Sequence, residues 1–306
     1  MNRDLTRRAA LARLLQLGAA TVAGRAVVRA RSLVDGMEPT DRASFEQMMR
    51  RAEELALADE PLGEVIGSIG RMFLGTPYVA HTLEVEGPER LVVNLRGLDC
   101  LTLVENSLAL ARCVKGGRTT MEEFREELRL MRYRDGVING YPSRLHYFTD
   151  WLSDNSQKGV IRDMTAELGG TPSVRRIDFM STHRESYRQL ADASVFEQIR
   201  DVERRLSASA RTVIPQEAVA EILPKLRTGD ILGLSSTIDG LDIAHTGIAV
   251  RINGTVRLLH ASLSRGEVVL TRGSVGEYLE RQPQQNGCVV GRPRESEREP
   301  VQDSQP

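Results

Sequence analysis

Five histidines and three cysteines are the scarce reactive side chains of this sequence. Two of them, His245 and His260, lie in strand-like runs, HTGIAVRI and TVRLLHAS, joined by Asn253-Gly254. A two-residue Asn-Gly loop fixes register, pairing Ile252 with Thr255, and hence His245 with Ser262 and Gly247 with His260. Opposed residues share a face and side chains alternate along a strand, so the two imidazoles are diagonal neighbours on one side of the ribbon. Gly247 leaves room for the rings to meet. One imidazole can then act as a base that the other orients.

The matching nucleophile is Cys100, which follows Gly97-Leu98-Asp99 and opens the apolar run LTLVENSLALARCV. Leu101, Val104, Leu108 and Ala111 form one stripe, and Gly116-Gly117 is a helix stop. A thiol in the first turn of a helix meets unpaired N–H groups and positive partial charge, which predicts a pKa below the usual value of about 8.5. With His245 as base and His260 as orienting group, the set reads as nucleophile, base and third residue in the order Cys, His, His. The Cys100 N–H and the Tyr78 hydroxyl, from Thr76-Pro77-Tyr78, are candidate oxyanion donors. Asp99 reads first as a helix cap and second as a substrate contact. One cysteine and two histidines could instead bind zinc with an open position for water, although no H-E-x-x-H accompanies them. Cys113 is about 20 Å along the same helix from Cys100, beyond disulfide reach. Cys113 and Cys288 are expected to be buried thiols.

Further candidates lie in SRLHYFTDWLSDN. Arg144, His146, Tyr147 and Trp151 are expected on one helix, with Tyr147 and Trp151 at i, i+4. They suit either a sugar or carboxylate contact or the core. Glu105 is expected to pair with an arginine; His81 and His183 read as surface residues.

Helical spacing predicts helices over 44–58 and 62–74, and a strand pair is expected about Gly87-Pro88. Residues 120–212 read as mostly helical. From Thr228 onward short strands separated by Asp-Gly, Asn-Gly and Arg-Gly turns take over. Helices first and antiparallel strands afterwards predict an α+β domain. It should span about 32–293 with a helical insertion at about 118–215, and the charged tail 294–306 should be disordered.

The 306 residues, 41% hydrophobic and 27% charged, are those of a globular chain and exclude collagen-like and coiled-coil classes. Residues 1–31 hold seven arginines and one aspartate, leaving 34 basic and 41 acidic residues in the remainder. An acidic body with one Trp, six Tyr and six Phe does not fit nucleic acid as the main partner. Arg7-Arg8, followed by the uncharged stretch Leu14 to Gly24, reads as an export signal of the twin-arginine kind, too short to span a bilayer. This predicts a periplasmic mature chain beginning near Ser32, without stable membrane insertion.

FLGTPYV, GLDC before an apolar helix, LRTGDILGL, GLDIAHTGIAV and LLHAS resemble, in order, the NlpC-type papain-like cell-wall hydrolases. The similarity is greater to their N-acetylmuramoyl-L-alanine amidase-like branch and runs from about Ser68 to Pro293, including YPSRLHYFTDWLSDN. The resemblance implies a papain-like core, with Cys100 as nucleophile, His245 as base, His260 as the polar third residue and Tyr78 bordering the sulfur. It implies hydrolysis of the amide between N-acetylmuramic acid and L-alanine in peptidoglycan fragments, without a cofactor. Related enzymes cut the stem peptide after D-glutamate, and the long segment between Cys100 and His245 keeps that bond open as an alternative. A non-catalytic module binding cell-wall fragments is the remaining alternative.

Overall fold

The computed structural model describes residues 39–295. The expected leader 1–31, the start near Ser32 and the tail beyond Glu295 lie outside the described residues. The principal helices are α1 (Pro39–Glu54), α2 (Leu62–Met72), α3 (Cys100–Gly116), α4 (Met121–Arg132), α5 (Phe148–Gln157), α6 (Ala193–Ala208) and α7 (Val275–Glu280). The strands are β1 (Ile161–Asp163), β2 (Thr171–Ser173), β3 (Arg211–Pro215), β4 (Ile231–Ser236), β5 (Ile243–Ile252), β6 (Thr255–Ser262), β7 (Glu267–Leu270) and β8 (Gln285–Pro293). They form one eight-stranded sheet in the order β2-β3-β8-β4-β5-β6-β7, with β1 also pairing β8, and its ladders are antiparallel. The mixed α and β class expected from the sequence is therefore present.

Period-two alternation gives β5 and β6 a separate core on each side. Ile248, Val250, Leu259 and Ala261 face a cluster built from α1, α2 and α3, whereas Ala249, Val256 and Leu258 face one with Leu232, Leu234, Val275 and Leu279. Helix α3 is buried along most of its length, with Leu103, Val104, Leu108 and Leu110 at 0% exposure, and it packs on α2, α4 and β5. Truncating such a side chain to alanine removes about 2–5 kcal/mol. The Asp99 side chain accepts from Thr102 N and Thr102 Oγ1 accepts from Asp99 N, a reciprocal cap at the start of α3. Gly117, at φ 67°, ends the helix in the left-handed conformation that favours glycine.

Three expectations require correction. No strand pair forms about Gly87-Pro88, because side chains rather than a ladder take up that segment's carbonyls. Arg144 donates to Leu83 O, Tyr133 to Arg90 O, Arg132 to Val92 O and Asn106 to Asn94 O. The helical reading of 120–212 is interrupted between α5 and α6 by β1, β2 and short helical turns, and it ends at β3. Both β1 and β3 pair with β8, so this stretch contributes to the main sheet. Strand β8 itself, unassigned by periodicity, occupies the sheet interior between β3 and β4. At the chain's end, Arg294 N donates to Val160 O and the Glu295 carboxylate accepts from Leu62 N at the start of α2, so both residues are held. Among the described residues no helix is long and apolar enough to cross a membrane.

Candidate active site

The ribbon register is the one that an Asn-Gly turn dictates: Ile252 pairs with Thr255 and Ile248 with Leu259. The two imidazoles meet as that register requires, with His245 Nε2 2.7 Å from His260 Nδ1 and the rings at 85°. Gly247 is required for another reason than room for the rings: a Cβ would lie 2.7 Å from the Leu258 side chain and 2.8 Å from Leu259 O. His260 is 3% exposed and His245 is half-buried.

Two backbone clamps hold the approach to Cys100. Gly75 N donates to Val268 O and Tyr78 N to Gly266 O, tying the Thr76-Pro77-Tyr78 loop to the β7 hairpin. Leu98 N donates to Pro77 O and Val79 N to Leu98 O, so the same loop runs beside the two residues preceding Cys100. Tyr78 thereby comes within electrostatic reach of the sulfur and of Asp99. On the sheet side, Cys100 approaches Thr246, the residue next to His245. The Thr246 hydroxyl is buried and lacks a partner of normal hydrogen-bond geometry. Tyr278, on α7, stands against both imidazoles. Its ring centroid is 5.1 Å from that of His260 and 6.3 Å from that of His245, and the Cys100 sulfur helps raise its pKa.

Burial controls protonation. It pushes the Cys100 thiol up to about 11, aided by the Asp99 carboxylate, while backbone and hydroxyl contacts at Thr246 and Leu101 pull the other way. The expectation of a lowered thiol pKa at the helix start is thus overturned: loss of water outweighs the helix-end field here. Burial and the neighbouring His260 lower His245 to about 3, and burial lowers His260 to about 4. Both phenols are raised by burial, Tyr278 to about 12, and remain hydrogen-bond donors at neutral pH. At neutral pH the Cys100 thiol, both imidazoles and both phenols are therefore neutral.

The other candidates have protein partners elsewhere. Of the four residues expected on one helix, only Trp151 lies in α5; Arg144, His146 and Tyr147 precede it, because Pro142 sits in a one-turn helix (Tyr141–Ser143) from which the chain leaves extended at Arg144 and stays extended at Tyr147. Arg144 pairs with Glu84, lies 3.6 Å from Glu89 and stacks on Tyr141. Tyr147 is buried, donating its hydroxyl to Glu203 at 2.7 Å and accepting from Met180 N at 2.9 Å. Trp151 is 0% exposed and stacks on Phe148. Glu105 pairs with Arg132 at 2.7 Å, as expected of it. His183 stacks on Phe179, and His81 is exposed. Cys113 and Cys288 are free and buried. Among the described residues no three His, Cys, Asp or Glu side chains are grouped closely enough to hold a metal ion. The facing nitrogens of His245 and His260 bond each other and do not point at a shared centre.

Tyr278 escaped the sequence reading, though a signal for its helix exists. Ser274 and Glu277 form a capping box, with Val275 and Leu279 four residues apart behind it.

The model of the AmiA-like family, described as N-acetylmuramoyl-L-alanine amidase-like, matches residues 68–287. Among solved structures, the chain is similar to an N-acetylmuramoyl-L-alanine amidase from Bacteroides uniformis, with 34% identity, a TM-score of 0.72, and 76% of this chain and 99% of that one covered. A Bacteroides fragilis protein, provisionally described as a xylanase, is 37% identical with a TM-score of 0.69, covering 73% of this chain and 98% of that one. A Legionella pneumophila protein at 21% identity and TM-score 0.61, over 83% of this chain and 94% of that one, shares the fold. No curated protein matches the chain. Since the family model covers most of the sequence, including the cysteine helix and the histidine ribbon, this chain belongs to the N-acetylmuramoyl-L-alanine amidase-like family.

Proposed function

We propose that this amidase hydrolyses the amide joining N-acetylmuramic acid to L-alanine in peptidoglycan fragments outside the cytoplasm, using Cys100 on a papain-like core. The observation carrying this reading is the 2.7 Å His245–His260 pair beside the segment that packs on Cys100. His245 spends Nε2 on His260, which leaves Nδ1 to serve the sulfur; this tautomer is assigned from the hydrogen bond.

The thiol proton passes to His245 Nδ1 as the sulfur attacks the lactyl carbonyl. Because burial disfavours a resting thiolate–imidazolium pair, transfer accompanies attack rather than preceding it. The Cys100 N–H and the Tyr78 hydroxyl donate to the developing oxyanion. The imidazolium then returns its proton to the nitrogen of alanine, the C–N bond breaks, and the stem peptide leaves with a free amine. A thioester remains on Cys100. Water, deprotonated by His245, attacks it, releasing the muramic acid carboxylate and restoring the thiol.

Glycan cleavage, the reaction of a xylanase, normally requires two carboxyl groups flanking the bond. The pocket instead presents a thiol, two imidazoles and two phenols, and its carboxylate Asp99 is spent on the helix cap. Mass spectrometry of defined muropeptides incubated with wild type and with Cys100→Ala tests the proposal. Wild type should yield intact stem peptide beginning with free L-alanine, and the variant none. Stem-peptide fragments cut after D-glutamate, or product from the variant, would overturn bond or mechanism respectively.

A further inference from the structure

Toward the middle of the ribbon, the face that carries His245 and His260 is apolar. Ala249 on β5 and Val256 and Leu258 on β6 share it by period-two alternation, and they build a core with Val275 and Leu279 of α7. The two imidazoles form its polar end. Among the described residues, the 2.7 Å hydrogen bond from one imidazole to the other is the one bond that either ring makes with the protein. A histidine's ring orientation is ordinarily set by the bond that its far nitrogen makes. His260 Nε2 has no such bond from the described residues, so packing must hold the ring that orients His245.

Tyr278 supplies that packing. The capping box of Ser274 and Glu277 starts α7, Val275 and Leu279 anchor it at 0% exposure, and the helix lies on β6. Tyr278, between those anchors, is half-buried against the same core. Its ring meets His260 edge-on, with centroids 5.1 Å apart and planes at 66°, and stands 6.3 Å from His245 at 34°. Aromatic pairs at such separations attract in a preferred orientation, which an aliphatic side chain filling the same space does not impose. Burial, and after it the Cys100 sulfur, push the phenol up to about 12, so Tyr278 brings no charge to the pair. We infer that Tyr278 is a positioning residue whose ring, rather than its hydroxyl, fixes the pose of His260 and through it the pose of His245. The kinetic consequence rests on the amidase reading above.

Full-length Tyr278→Leu and Tyr278→Phe test this together. Leucine keeps apolar volume against the core but has no ring, and phenylalanine keeps the ring without the hydroxyl. With a defined muropeptide, Tyr278→Leu should lower kcat about tenfold at unchanged KM, the upper range of what one aromatic pair contributes. Tyr278→Phe should retain most of kcat. Equal loss in the two variants would assign the effect to the hydroxyl, and a change in KM alone would make Tyr278 a substrate contact; either result overturns the proposal. The second readout uses no substrate: the N–H proton of the His245–His260 bond, observed by NMR in histidine-labelled protein and identified by its loss in His260→Gln. It should be resolved in wild type and Tyr278→Phe and broadened by exchange with water in Tyr278→Leu. A line absent from wild type, or unchanged in Tyr278→Leu, would overturn the proposal. Circular dichroism verifies the folding of each variant. Failure of the amidase reading would show separately, as product formed by Cys100→Ala, and leaves the NMR comparison decisive.

Discussion

At the candidate site the polar groups are a thiol, two imidazoles and two phenols, of which His260 is buried and the others half-buried, and loss of water drives each toward its neutral form. Some distance along α3, the groups around Arg132 and Arg144 are guanidiniums and carboxylates, and there charge is matched by charge. Arg132 reaches Glu105 and Val92 O, Arg144 reaches Glu84 and Leu83 O, and the Tyr133 hydroxyl donates to Glu89. Both clusters flank the same loop, residues 79–98. The difference shows why reactive and structural polar groups can look alike in a sequence. A neutral cluster can accept and return a proton without breaking an ion pair, whereas a paired cluster holds the backbone of a strandless segment in place.

The sharpest way to break this contrast is to disable one member of each cluster. Cys100→Ala should lower amide hydrolysis by at least about 10⁴-fold while thermal unfolding stays near wild type. Preserved turnover would remove Cys100 from the chemistry. In the paired cluster, Glu105→Ala leaves the Arg132 guanidinium buried and uncompensated, which should cost about 3–5 kcal/mol in urea unfolding. Replacing both partners with apolar residues, Glu105→Leu with Arg132→Met, should recover much of that loss. A double variant as unstable as the single one would show that Arg132 acts through Val92 O alone.

His260 separates positioning from proton transfer. His260→Ala removes the acceptor for His245 Nε2, so kcat should fall by about 10²-fold with KM little changed. His260→Gln restores an acceptor and should recover part of kcat. Equal kcat in the two variants would leave His260 without an orienting role.

How much of this was legible in the sequence depends on the range of the forces involved. The Asn253-Gly254 turn fixes the ribbon register locally, so the meeting of His245 and His260 could be derived from spacing alone, and the cap at Asp99 follows from similarly short-range rules. The thiol pKa could not be derived this way, because burial of Cys100 against Thr246 is a tertiary fact and outweighs the helix end. The expectation for Gly87-Pro88 failed for a related reason: Arg132, Tyr133 and Arg144, distant in sequence, occupy the carbonyls a strand would have used. Strand β8 was hidden because its residues GCVVG are buried on both faces and show no alternation. Tyr147 and Trp151 illustrate the converse. Their spacing is compatible with a ligand-binding face or with a core, and only packing against Glu203 and Phe148 decides between them.

The smallest predicted effect concerns pH and tests whether the histidine cluster is neutral for the reason given. His245 and His260 have folded pKa values of about 3 and about 4, below the ordinary value of about 6.5. A group depressed in this way must give up its proton to fold, so its contribution to stability is complete above pH 6.5 and is lost as pH falls toward 4. His146, also lowered to about 3 by burial, adds to the same slope from outside the site. Replacing His260 with Gln removes one of these titrations and should flatten the loss of stability by up to about 1.4 kcal/mol per pH unit over that range. Urea unfolding of wild type and His260→Gln between pH 7 and pH 4.5 measures the difference. Parallel curves would mean that His260 titrates alike folded and unfolded, contrary to the lowering that its burial produces.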